Sequence, residues 1–234
     1  MVGNWRLVVG IEDESMLTVW EAIRMRRSIR KFVPDDVSED MVNQMLEAAR
    51  LAPSASNRQP WRFLVVRDRE IRKQLSRICL GQRFIEEAPV VIFCFGDFER
   101  YSDAARKKRR QESVDSGVAS TASGRFADPK FIAYIYSLPV PPREQLVTPV
   151  VANTYIAIEH LVLMATALGL STCWIGAFED PAEINRLFGL DDTLLPVAVI
   201  PVGYAAGQIP PPRSRLPFEE IIVKPWMHAA GKEK

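Results

Sequence analysis

Ala52-Pro53-Ser54-Ala55-Ser56-Asn57-Arg58-Gln59-Pro60-Trp61 joins a helical pattern to a strand pattern. Before it, Met41, Val42, Met45, Leu46 and Ala49 define one face of a helix that Ser38 can cap, with Glu39 and Asp40 in the first turn and a stop near Pro53. After it, residues 61–66 are rich in aromatic and β-branched side chains and read as a strand. Between the two patterns, prolines bracket small hydroxyl residues and two amides, so a rigid loop can present an amide to the edge of a ligand. The same residues also suit a capped turn in which Asn57 and Ser56 bond only to nearby backbone.

Working outward, residues 17–27 carry Leu17, Trp20 and Ile23 at helical spacing, and Arg26-Arg27-Ser28 follow where that helix should end. Residues 69–80 read as a helix, and 90–95, after Pro89, as a continuous apolar strand of the doubly buried type. Residues 97–148 change character: a basic run at 106–110, small and polar residues at 113–124, then Phe131, Tyr134, Tyr136 and prolines at 139, 141 and 142. This segment is expected to be an insertion or lid over the core. Residues 150–168 form an apolar helix closed by Gly169, and burial so complete points to a dimer interface. Residues 171–178 read as a strand or extended loop, 181–188 as a helix started by Asp180, and 194–204 as a strand despite Pro196 and Pro201. The tail, with Ile221-Ile222-Val223, reads as extended.

With 234 residues, 47% hydrophobic and 25% charged, the chain can bury one sizeable core, which excludes disorder and collagen-like repeats. Thirty basic against 29 acidic residues leave a formal charge of +1, so no global field recruits nucleic acid or a membrane surface. Three cysteines and two histidines supply neither a disulfide framework nor a metal site, and a reducing cytoplasm is the expected setting. No secretion signal is read in the first residues, and the apolar residues 161–170 fall short of the ~20 that span a bilayer, so a soluble protein is expected.

No glycine fingerprint for a dinucleotide or P-loop phosphate occurs, so side chains must hold any phosphate. Arg26 and Arg27 with Ser28, and Arg213 with Arg215, can do so, because guanidinium forks match phosphate oxygens; either pair alone also reads as solvated surface charge. Cys173, beside Trp174, reads as a buried inert thiol, and His160 as a core or interface residue with a satisfied hydrogen bond. The run Arg106-Lys107-Lys108-Arg109-Arg110 reads as a solvated helix face or a site for an anionic substrate. Phe131, Tyr134 and Tyr136 read as either helix packing or a cover over a ligand. No Ser/His/Asp set and no metal constellation stand out.

Arg26-Arg27-Ser28-Ile29-Arg30-Lys31-Phe32, the 53–61 stretch, Gly169-Leu170-Ser171-Thr172-Cys173-Trp174-Ile175-Gly176-Ala177-Phe178 and Arg213-Ser214-Arg215-Leu216-Pro217 form an ordered set of motifs. In this order and at these separations they resemble nitroreductase-like flavoenzymes over residues 26–223, with 1–16 and 97–148 outside the match. The resemblance implies an α+β fold with a central mixed sheet flanked by helices. It implies a single domain over 17–234 after an N-terminal extension at 1–16, and an intertwined homodimer with one FMN per site at its interface. Arg26, Arg27 and Ser28, joined by Arg213 and Arg215, would hold the phosphate, and Arg30 would approach the pyrimidine edge of the ring. Asn57 would bond the ring edge, with Pro53, Ser54, Gln59 and Trp174 in the same cofactor set, while Ile175, Gly176 and Ala177 line the ring and offer backbone N–H groups.

The implied activity is NADH or NADPH reducing the bound flavin, which then reduces a nitroaromatic, quinone or similar small electron-poor acceptor in a ping-pong cycle. Reductive dehalogenation, oxygen-dependent flavin fragmentation and non-catalytic FMN binding are the alternatives. Many members carry a glutamate at the position of Gly176 and others share the glycine, a difference that bears on nicotinamide handling.

Overall fold

The apolar run after Pro89 is a strand covered on both faces, and the rest of the fold is arranged around it. The computed structural model describes residues 17–117 and 128–222. Its helices are α1 (Val19–Met25), α2 (Glu39–Arg50), α3 (Arg69–Ile78), α4 (Phe84–Glu87), α5 (Asp103–Asp115), α6 (Pro129–Ser137), α7 (Arg143–Ala167), α8 (Pro181–Phe188) and α9 (Phe218–Ile221). Its strands are β1 (Trp61–Val66), β2 (Val90–Asp97), β3 (Ser171–Thr172) and β4 (Leu194–Gly203). The expectations for residues 1–16, 118–127 and 223 onward lie outside the described residues.

All eight residues of β2 are buried, and their side chains alternate between two cores. Val90, Ile92 and Cys94 pack with Val42 and Met45 of α2 and with Ile158, Leu161 and Val162 of α7. Val91, Phe93 and Phe95 pack with Leu75 of α3 and Ile184 of α8. Full burial of side chains such as Ile92 and Phe93 contributes about 1.5–3 kcal/mol each. Ser38 caps α2 as the sequence predicts, its Oγ accepting from Met41 N at 3.2 Å, and Asp68 Oδ1 caps α3 by accepting from Ile71 N at 2.9 Å.

The sheet runs β1-β2-β4-β3 with antiparallel neighbours throughout, so Phe63 faces Cys94 and Ile92 faces Ile200. The mixed character expected of it resides, among the described residues, in one isolated parallel bridge, Ser28 to Thr172. β4 forms despite Pro196 because the register shifts between Cys94 and Phe95, and this irregularity accommodates a residue without an N–H.

Helix α7 begins at Arg143, seven residues before the start read from the sequence, and passes through Pro149. An interior proline costs roughly 3 kcal/mol. Leu146 and Val150, on either side of it, are buried with Phe98 and Tyr101, and this tertiary packing outweighs the local penalty. A window of α7 has mean hydropathy 1.5, enough by length and composition to cross a bilayer; here its buried face forms the centre of the core. The tail expected to be extended carries one helical turn, α9.

Candidate functional site

The motif after α1 is strapped to the β3 edge of the sheet. Ile29 N donates to Thr172 O at 2.9 Å, Val33 N to Tyr204 O at 3.0 Å, and Ala206 N to Lys31 O at 3.0 Å. This delivers Arg27 to a concavity of about 600 Å3 that it shares with Trp20, Met25, Arg213 and Arg215. The two arginine pairs, 187 residues apart from Arg26 to Arg213, therefore converge through Arg27. Arg27 is partly committed: Nε donates to Pro210 O at 3.2 Å, and Nη1 to Arg24 O and Arg26 O at 2.7 and 2.8 Å. Arg215 Nη1 donates to the carbonyls of Arg213 and Ser214. None of Arg26, Arg27, Arg30, Arg213 and Arg215 has a carboxylate ion pair among the described residues. The acid lining the concavity, Glu21, is occupied by Thr18, whose N–H and hydroxyl hold its carboxyl below the usual range.

Residues 174–177 follow directly along the same edge. Ile175 exchanges both backbone hydrogen bonds with Val199, so its N–H is engaged; those of Gly176 and Ala177 have no partner among the described residues. Trp174 meets Tyr155 of α7 edge-to-face at 5.1 Å. Gly176 is open: a Cβ there would find Val197 O at 3.9 Å and Tyr155 Oη at 4.0 Å. Cys173 is buried, and burial raises its thiol, while the neighbouring Arg30 and Arg26 pull it down; both arginines thus sit at this edge.

The 53–59 loop is neither a simple turn nor free. Ser56, Asn57 and Gln59 occupy the left-handed region at φ 51°, 51° and 49°, which for non-glycine residues costs about 1–2 kcal/mol apiece. Strain of this kind gathers where surrounding structure over-determines the backbone. Ser54 Oγ accepts from Gln59 N at 2.9 Å, and Asn57 Oδ1 from Gln59 Nε2 at 2.8 Å. The clamp comes from α7: Asn153 Oδ1 accepts from Ala55 N at 2.8 Å, and its Nδ2 donates to Pro149 O at 2.6 Å and Tyr101 Oη at 3.3 Å. No sequence motif marks Asn153; its one signal is a lone amide on an apolar helix face, because a buried amide must find partners.

The residues expected to form one site therefore form two groups. Arg26, Arg27, Ser28, Arg30, Trp174, Ile175, Gly176, Ala177, Arg213 and Arg215 gather at the β3 edge. Pro53, Ser54, Asn57 and Gln59 lead into β1, the opposite edge. Three inter-strand spacings, roughly 14 Å, separate the two edges. His160 also departs from expectation: its Nδ1 is buried without a partner among the described residues. Its helical neighbours Ile156, Ala157, Leu163 and Met164 are apolar and offer no acceptor side chain. Among the described residues no cluster of metal-ligating side chains occurs.

Comparisons with known proteins identify the family. The sequence profile described as the Nitroreductase family matches residues 23–204. An NADH dehydrogenase of Thermus thermophilus is 33% identical over 198 residues, covering 85% of this chain and 91% of the relative. The FMN reductase [NAD(P)H] of Bacillus subtilis is 26% identical over 208 residues, covering 88% of this chain and 73% of the relative. The structure of a nitroreductase-like chain from Exiguobacterium sibiricum in complex with FMN superposes with a TM-score of 0.69 at 28% identity, covering 89% of this chain and 98% of the other. The chain belongs to the nitroreductase family.

Proposed function

We propose that this protein is an FMN-dependent oxidoreductase that draws electrons from NADH or NADPH and delivers them to a nitroaromatic, quinone or similar electron-poor small molecule. The observation that carries this reading is the convergence of Arg27, Arg213 and Arg215 around one concavity, without carboxylate partners, next to the 174–177 segment. Uncompensated guanidinium forks suit a phosphate monoester, and the donor set fits the phosphate end of FMN. Arg213 and Arg215 bind that phosphate, while Arg27, tied to three carbonyls, stiffens the wall. Arg30 is the fixed cation for negative charge on the reduced ring, and Gly176 and Ala177 offer their N–H groups. Hydride acceptance and donation are the chemistry FMN supplies when bound.

The site is completed by a second copy of the chain. The 53–59 loop, about 14 Å across the sheet from the basic edge, reaches the ring of the partner's site in a homodimer. Apolar surface left uncovered in one chain supports this: Trp20 of α1 is 65% exposed and Phe218 of α9 68%, with Tyr155 and Ile156 of α7 also exposed. Residues 17–234 act as one domain with 97–148 as an insertion or lid, and three buried thiols suit a reducing cytoplasm.

The visible spectrum of the purified protein, taken before and after NADH or NADPH with the released cofactor identified, tests the reading. FMN at about one per chain, bleached by nicotinamide and recoloured by a quinone, supports it, and a dimer mass by light scattering supports the composite site. FMN that does not bleach points to a specialised or non-catalytic role. No flavin after reconstitution overturns the proposal.

A further inference from the structure

Beside the 53–59 loop lies a groove of about 440 Å3 whose walls are contributed by Ile135, Leu138, Pro141 and Leu146 and whose polar lining includes Arg58 and Arg106. The Arg58 guanidinium stacks over Tyr101 at 4.4 Å and has no hydrogen bond or ion pair among the described residues. Behind it, Arg100 Nε donates to Arg58 O at 2.8 Å, and Arg109, only 7% exposed, donates to Arg100 O at 2.7 Å. Arg106 is held by Ile135 O and Leu138 O at the end of α6, and its acidic neighbour is Asp103 at 3.3 Å. Four arginines thus cluster here, and among the described residues only Arg106 has a carboxylate ion pair, with Asp103, in a protein whose formal charge is +1.

Such a cluster is costly when empty. Burial lowers the Arg58 guanidinium, and Arg106 adds to this; burial brings Arg109 down to about 10, with Arg58 and Arg100 contributing. An anion in the groove relieves both the repulsion and the lost solvation. The apolar walls suit a flat or hydrocarbon body attached to that anion, and Ala55 and Ser56 place the groove against the loop that carries Asn57. We propose that this groove is an anion subsite that holds the carboxylate, sulfonate or phosphate of a reactant, so that the enzyme selects negatively charged partners. The proposal rests on the oxidoreductase reading above, and the anion can arrive on the acceptor or as a phosphate of the nicotinamide donor.

The test compares kcat/KM for a sulfonated naphthoquinone and its unsulfonated parent in wild type, Arg58→Gln, Arg58→Lys and the surface control Arg77→Gln, with KM for NADH and NADPH measured alongside. Arg58→Gln is expected to lower the sulfonated-to-neutral ratio about tenfold, the loss of one charge-assisted contact, while Arg58→Lys retains most of it and Arg77→Gln all of it. A ratio that holds while KM for the nicotinamide rises about tenfold supports the subsite with the donor's phosphate as its occupant. No change in either quantity for Arg58→Gln overturns the subsite. Fluorescence titration with naphthalenesulfonate gives a readout independent of turnover: weaker binding in Arg58→Gln than in wild type supports the subsite, and equal binding overturns it. Loss of turnover with the neutral quinone in wild type would instead strike the oxidoreductase reading.

Discussion

Val150 of α7 stands directly against the backbone of Gly96 in β2, so close that a Cβ on the glycine would lie 2.2 Å from Val150 Cγ1. This contact sets how near α7 approaches the sheet, and both residues are buried in the core beneath the 53–59 loop. Valine is stiff about χ1 and cannot swing clear. Gly96→Ala is therefore expected to destabilise the protein by about 1–3 kcal/mol in urea unfolding, and Gly96→Ala combined with Val150→Ala to recover part of that loss. A Gly96→Ala protein as stable as wild type would mean that α7 shifts freely.

Asn153 is the link between α7 and the strained loop. Asn153→Ala removes the acceptor of Ala55 N and leaves a partly buried donor unpaired, a cost of about 1–3 kcal/mol. Hydrogen exchange at the Ala55 amide should accelerate accordingly. If its protection were unchanged, the left-handed backbone at Ser56 and Asn57 would owe nothing to this clamp.

Arg215→Ala removes one guanidinium from the concavity it shares with Arg27 and Arg213. FMN binding should weaken by about 1.5–3 kcal/mol, a dissociation constant raised roughly ten- to a hundredfold, as read by fluorescence of released flavin. An unaltered dissociation constant would move the phosphate elsewhere.

Gly176 has room for a side chain and no need of a left-handed backbone. Gly176→Ala is expected to leave stability within about 0.5 kcal/mol while raising KM for bulky acceptors, because the methyl group enters the open space below Tyr155. A large fall in Tm would show that this glycine serves packing.

Cys79, Cys94 and Cys173 are all buried, and burial raises each thiol, Cys79 to about 12. A thiol reagent near neutral pH should label none of them in the native protein and all three in denaturant. Their contribution to stability is present below the unfolded thiol's ordinary value of 9.0 and is lost as pH rises from there toward about 12, since the unfolded state releases its protons first. Cys79→Ala should flatten the alkaline decline in urea midpoint; an unchanged slope would assign that decline to other groups.

Much of the architecture was legible from local chemistry. The unbroken apolar run at 90–95 announced a strand buried on two faces, and Ser38 and Asp180 cap the helices that follow them. The four motifs, in order, led to the family. These signals work because capping, alternation and turn chemistry depend on residues within a few positions of one another.

Tertiary structure decided the rest, where residues far apart in sequence compete or combine. Pro149 lies within α7 because Leu146 and Val150 are buried against Phe98 and Tyr101. The strand order β1-β2-β4-β3 sends the 53–59 loop and the 174–177 segment to opposite edges, a separation that no motif spacing encodes. Arg58 reads as a residue of the 53–61 stretch and Arg106 as part of a basic run until the fold brings both to one groove, with Arg100 and Arg109 hydrogen-bonded behind Arg58. Sequence by itself determined the elements and the chemical inventory, because those follow from neighbours along the chain; which groups meet was decided by the sheet order and by α7, because packing of distant apolar faces dominates the free energy of folding.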